Sequence, residues 1–113
     1  MKKLTTGTSS IFVNPTFTIQ INPTLEIDAE LQVICWLGKD GWTYDAIEAS
    51  DIIEIRYSGF VIRDFDKIRA FTNYHKEIGI DVWQTICDEA GKMVRSYTVR
   101  EFIKLFTPLE LLK

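Results

Sequence analysis

The stretch that decides the fold is TFTIQINPTLEIDAELQVIC, residues 16–35. Phe17, Ile19 and Ile21 alternate with Thr16, Thr18 and Gln20. A period of two with β-branched residues predicts a strand with one buried face. Asn22-Pro23-Thr24 interrupts the alternation with turn chemistry. It then resumes, with Leu25, Ile27, Ala29, Leu31, Val33 and Cys35 on one side and Glu26, Asp28, Glu30 and Gln32 on the other. Two such runs joined by three residues predict a hairpin.

Upstream, Ile11-Phe12-Val13 is a short apolar group closed by Pro15, and residues 1–10 are Thr/Ser-rich and expected to be loosely ordered. The echo of Asn14-Pro15-Thr16 in Asn22-Pro23-Thr24 is repeated turn chemistry; its eight-residue spacing is too short for a solenoid unit. Downstream, Gly38-Lys39-Asp40-Gly41 predicts a second hairpin connection. Trp42, Tyr44 and Ala46 predict a third strand, which Ala49-Ser50 is expected to break. Ile53, Ile55 and Tyr57 predict a fourth, and Tyr57-Ser58-Gly59-Phe60 a tight turn into Phe60-Val61-Ile62. The first half thus reads as an antiparallel meander of four to five strands.

After residue 63 the period changes. Asp64 is placed to cap a helix with apolar positions Phe65, Ile68, Phe71, Tyr74 and Ile78, stopped by Gly79. Asp81 is placed to cap a second, carrying Val82, Trp83, Ile86, Cys87, Ala90, Met93 and Val94, in which Gly91 signals a close contact or an early end. Thr98 and Glu101 match a capping box for a third, and Thr107-Pro108 a further turn. Strands first and helices afterwards predict an α+β fold, with three C-terminal helices packed on one face of the sheet. With no linker between the halves, residues 1–113 read as a single domain.

The chain has 113 residues, 46% of them hydrophobic and 26% charged, with a formal net charge of −3. That supports one real core and excludes disorder along the whole chain. The balance also speaks against a generic nucleic-acid binder. No apolar run approaches the ~18 residues of a membrane span. Met1-Lys2-Lys3 is followed by Thr5-Thr6-Gly7-Thr8-Ser9-Ser10, where a signal peptide would be apolar, so the chain reads as unprocessed and cytoplasmic. Cys35 and Cys87 read as free thiols, too few for a disulfide framework. No phosphate loop, calcium loop or zinc tetrad is present in the sequence, so no cofactor and no metal are expected. His75, the one histidine, has no local nucleophile or proton donor that would make it a general base.

Four features exceed what a small fold requires. Glu26, Asp28 and Glu30 form an acidic rung on one strand face, within a segment (23–59) holding eight acidic and two basic residues. The same face turns apolar at Ile34 and Trp36, and Trp36 is placed to pair with Trp42 across the Asp-Gly turn. In the tail, Phe102, Ile103 and Phe106 share one helical stripe, whereas Leu105, Leu109 and Leu112 do not all fit it and ask for a second cover. Lys92, Arg95, Arg100 and Lys104 form a basic cluster on a helix pair. The leading expectation is a non-catalytic protein–protein interaction module, self-assembling as a homo-oligomer or docking on a larger protein. Its contacts are Trp36, Trp42, Leu105, Leu109 and Leu112, with Glu26, Asp28 and Glu30 lending selectivity. A small phage or mobile-element inhibitor or assembly part fits by size alone. The alternatives are nucleic-acid binding through the basic cluster, against the charge balance, and a small-molecule or enzymatic pocket centred on His75 with nearby carboxylates.

Overall fold

The structure, a computed structural model, describes residues 9–107. Strands β1 (Ser9–Val13), β2 (Thr16–Asn22), β3 (Leu25–Gly38), β4 (Gly41–Tyr57) and β5 (Phe60–Ile62) precede helices α1 (Phe65–Glu77), α2 (Val82–Arg95) and α3 (Val99–Phe106). The α+β architecture is therefore as the periodicity predicts. Of the ten N-terminal residues expected to be loose, 1–8 lie outside the described residues, and Ser9 and Ser10 open β1.

β3 is the axis of an antiparallel sheet. β1 and β2 both pair with one of its edges, β1 with Val33–Leu37 and β2 with Leu25–Glu30, so they form one interrupted strand rather than two turns of a meander. Asn14-Pro15 makes the interruption. Pro15 accepts the Leu31 N–H at 2.8 Å but has no N–H to return, and the Asn14 side-chain amide donates to the Leu31 carbonyl instead, at 3.1 Å.

The other edge of β3 pairs with β4, and here the expected break at Ala49-Ser50 does not occur. β4 is one strand of 17 residues against the 14 of β3. Asp45, Ser50 and Ile53 have no partner in the register and are bulges. They explain an irregular sequence pattern. Trp42, Tyr44, Ile47, Ala49, Ile52, Ile55 and Tyr57 face the same side as the β3 core residues, spaced by two or three. Ala46 therefore lies opposite Ile34 on the outer face, and Ile53 is exposed.

The core lies between the inner face and the helices. Ile27, Ala29, Leu31, Val33 and Cys35 of β3 meet Ile86, Ala90 and Val94 of α2 and Phe102 of α3. Tyr44 ties the layers together: its hydroxyl lies 3.1 Å from the Val94 carbonyl and 2.9 Å from that of Tyr97, and burial pushes its pKa up to about 12. Both cysteines are free, and burial of Cys35 pushes its thiol up to about 11.

Two of the three expected N-caps form their side-chain bonds, and the further turn expected at Thr107-Pro108 runs outside the described residues. Asp81 accepts the Gln84 N–H at 3.0 Å, and Thr98 with Glu101 forms the full capping box. Asp64 stands at the N-cap of α1 without a side-chain cap bond. Gly79 takes φ 92°, and the Ile80 and Gly79 amides return to the His75 and Lys76 carbonyls at 2.8 and 3.0 Å, closing α1 with a left-handed residue.

α2 runs uninterrupted through Gly91, where an added Cβ would meet only the tip of Arg95, at 2.9 Å. Gly91→Ala is expected to stabilise the fold by up to about 1 kcal/mol, raising the melting temperature by roughly 4 °C. Gly79→Ala, at a positive φ, is expected to lower it by a comparable amount. Thermal unfolding by circular dichroism measures both, and a Gly91→Ala protein less stable than the parent contradicts the packing described.

Candidate functional site

The four features singled out by sequence lie in different parts of the structure. On the outer face of the sheet, the register of β3 with β4 sets Arg56 opposite Glu26 and Glu54 opposite Asp28. The Arg56 guanidinium gathers the carboxylates. It donates to Glu26 at 2.9 Å, to both oxygens of Asp28 at 2.8 and 3.0 Å, and to Glu54. Arg63 donates to Glu54 from beyond β5 at 2.6 Å, and Thr18 donates to Asp28 at 2.8 Å from β2. The hydrogen bonds from Arg56 and Thr18 hold the Asp28 carboxyl below its usual range, and those from Arg63 and Arg56 do the same for Glu54. The acidic rung is thus not an open anionic surface. Glu26 and Asp28 are bound within the chain, and only Glu30 carries no ion pair among the described residues.

The two tryptophans do not pair. Trp36 is opposite Thr43 and Trp42 opposite Leu37, so they occupy opposite faces of the sheet. Trp42 packs against the core. Trp36 is 41% exposed on the outer face, which it shares with Ile34 and the more exposed Phe12. Its ring lies over Gly38, where an added Cβ would come within 2.7 Å of it. In α3, Phe102 and Ile103 are buried while Leu105 is 62% exposed. Leu109 and Leu112 lie outside the described residues.

The basic side chains are spread over two helices. Lys92 is engaged with Glu89 at 3.2 Å, and Arg95 lies over Gly91. Lys92 and Arg95 occupy the last turn of α2, and Lys104 that of α3, where cations complement the helix dipole. Arg100 is exposed on α3.

A further apolar opening was reached by the sequence only at His75. A cleft of about 550 Å³ lies between the Leu25/Tyr57 end of the sheet and the C-terminal half of α1. Phe60, 72% exposed, and Tyr74, Ile78, Ile80 and Tyr57 rim it. The β4–β5 turn, with Ser58 at φ 48° and Gly59 at φ 88°, delivers Phe60, and the left-handed Gly79 delivers Ile80. His75 sits inside, its ring centroid 4.1 Å from that of Phe71 and 5.5 Å from that of Tyr74. Its Nδ1 lies 2.9 Å from the Phe71 carbonyl, which can only accept, so a ring proton is assigned to Nδ1. Asn22, Thr24 and Thr85 supply further polar groups beside the tyrosine hydroxyls, and among the described residues no carboxylate lines the cleft with His75.

Comparison of the chain with protein-family models, with curated proteins and with solved structures gives no match. No helix among the described residues is long and apolar enough to cross a membrane.

The ion network sets a pH dependence. The folded-state pKa values of Asp28 and Glu54 lie below their unfolded values, which are about 4. The stability they contribute is present above that range and is lost as pH falls below it, through the lower folded-state values. In Arg56→Gln, Arg63 still holds Glu54 and the Thr18 hydroxyl still reaches Asp28, but Asp28 faces Glu54 and flanks Glu26 with no cation of its own, so its protonation relieves repulsion instead of breaking an ion pair. The variant is expected to melt below the parent at pH 7, with the gap narrowing towards pH 4. Paired thermal melts across this range measure it, and a gap independent of pH contradicts the assignment.

Proposed function

We propose that the protein is a non-catalytic protein–protein interaction module whose main contact surface is the cleft rimmed by Tyr57, Phe60, Tyr74, Ile78 and Ile80. The observation that carries the reading is the concentration of exposed large apolar side chains around one concave site with a few polar groups inside it. Singly exposed apolar residues are ordinary, whereas a contiguous concave group marks a contact site. Burying one side chain of this size is worth about 1.5–3 kcal/mol. Aromatic anchors in pockets carry a large share of binding energy at protein interfaces. This reading moves the main contact away from the residues that the sequence singled out: Trp42 packs against the core and Glu26 and Asp28 are engaged by Arg56, while Trp36 and Leu105 remain accessible as secondary contacts.

The reading makes a sharp distinction from a reaction centred on His75. Affinity capture with the tagged chain in its native host, quantified by mass spectrometry, is expected to recover a partner whose yield falls at least tenfold with Phe60→Asp or Tyr74→Ser. The yield is expected to be unchanged with Lys67→Ala on the exposed side of α1. His75→Ala leaves the rim in place and is expected to retain the partner. Recovery of the same proteins in equal yield by the parent and Phe60→Asp removes the reading.

A further inference from the structure

We infer that the open edge of β2 pairs with the same edge of a second copy of this chain, continuing the sheet across a two-fold axis at Thr18. The inference does not use the cleft and stands or falls separately from it.

The first observation is main-chain. The Leu31 N–H donates to the Pro15 carbonyl, and the β2–β3 register is unbroken from Thr16 to Gln20. Main-chain groups in an antiparallel ladder face alternate sides. Those of Phe17 and Ile19 therefore point to β3, and those of Thr16, Thr18 and Gln20 point outward. Among the described residues no strand pairs with that side. The second observation is chemical. From Ser9 to Asn22 this edge carries no charged side chain, and edges that must stay unpaired ordinarily carry them. The contrast lies within the same sheet. The free stretch of β4 has three bulges and the acidic Asp45, Glu48 and Asp51, and the Ala49 amide is occupied by Cys87 Sγ at 3.5 Å. The third is space. A groove of about 330 Å³ runs beside Thr16, Phe17 and Thr18, bounded across by Met93, Ser96 and Tyr97.

A second copy fits because the edge is complementary to itself, which a two-fold interface requires. With outward groups on 16, 18 and 20, the hydrogen-bonded pairs are Thr18 with Thr18 of the second copy, and Thr16 with its Gln20. Between them Phe17 faces Ile19 of the second copy, an aromatic–β-branched pair of the favourable kind. No position meets a charge. The Asp28 rows of the two copies stand three strand spacings apart, about 14 Å, beyond the ~8 Å screening length at physiological salt.

Sedimentation or light scattering of the full chain over a concentration series tests this. The parent is expected to move from 13.1 kDa towards twice that mass. Thr18→Pro removes the N–H that faces away from β3 together with the hydroxyl that donates to Asp28, and Thr18→Val removes the hydroxyl alone; far-ultraviolet circular dichroism is expected to persist in both, while dimer dissociation rises at least tenfold only in Thr18→Pro. Thr18→Glu places two carboxylates on the axis, each beside Asp28 of its own chain, and is expected to be monomeric, and an equimolar mixture with Thr18→Lys is expected to dimerise again. A parent that stays at monomer mass up to about 1 mM overturns the inference. So does a dimer that survives Thr18→Pro, a Lys/Glu mixture that stays monomeric, or a dimer that Phe60→Asp dissociates and Thr18→Pro does not.

Discussion

Every strand but β5 is hydrogen-bonded to β3, and the whole structure depends on that one strand keeping its inner face apolar over fourteen residues. Ile27, Ala29, Leu31, Val33 and Cys35 are fully buried at strict spacing of two, and β3 carries no bulge. A one-residue slip would send that row outward and bring Glu26, Asp28 and Glu30 into the core, at a cost no small domain could meet. The partners adapt instead. β2 gives way at the bulge near Ile21, the β1–β2 edge at Pro15, and β4 in three places.

That division decides what could be read in advance. β2 and β3 alternate cleanly, so their existence, faces and connecting turn were legible in residues 16–35. The helices were legible because Asp81, Thr98 and Gly79 act locally through caps that need no tertiary partner. β4 was not, because a bulge shifts the phase of alternation without any residue type that announces it. Ser50 looked like a break and is an extra residue in a continuous strand. The consequence reaches the ion network. With an unbroken ladder from the Gly38–Gly41 pair, Glu26 would face Ile53 and Asp28 would face Asp51. Three extra residues in β4 bring Arg56 to Glu26 and turn a repulsive rung into a bound one. The sequence carries the three carboxylates and the arginine, but not the register that joins them.

The candidate surface shows the same limit. Phe60, Tyr74, Ile78 and Ile80 were visible as apolar residues, and Tyr74 and Ile78 read as part of the buried stripe of α1. In the structure that stripe is open at Phe65, buried at Ile68, half-buried at Phe71, and open again at Tyr74 and Ile78. Periodicity reports which face of a helix looks inward; it does not report where the sheet beneath it ends.

Where it ends follows from elementary geometry. A fourteen-residue strand extends about 46 Å at 3.3 Å per residue, and a helix of fourteen residues only about 21 Å at 1.5 Å per residue. The molecule is 49 Å long and 27 Å across. α2 therefore spans less than half of the sheet it packs on, and α1 and α3, of thirteen and eight residues, must serve the rest. α3 sets Phe102 edge-on against Tyr44, level with Cys35, and tilts Phe106 against Phe17, level with Ala29. α1 reaches the Leu25/Tyr57 end with a single layer of aromatic contact, Phe71 and His75 against Tyr57, and has no further turn with which to cover Phe60 and Ile80. The apolar cleft is thus what remains when a sheet this long is served by helices this short. To close it within the chain, α1 would need one or two additional turns beyond Glu77. Gly79, held in a left-handed conformation that no continuing helix adopts, terminates it there.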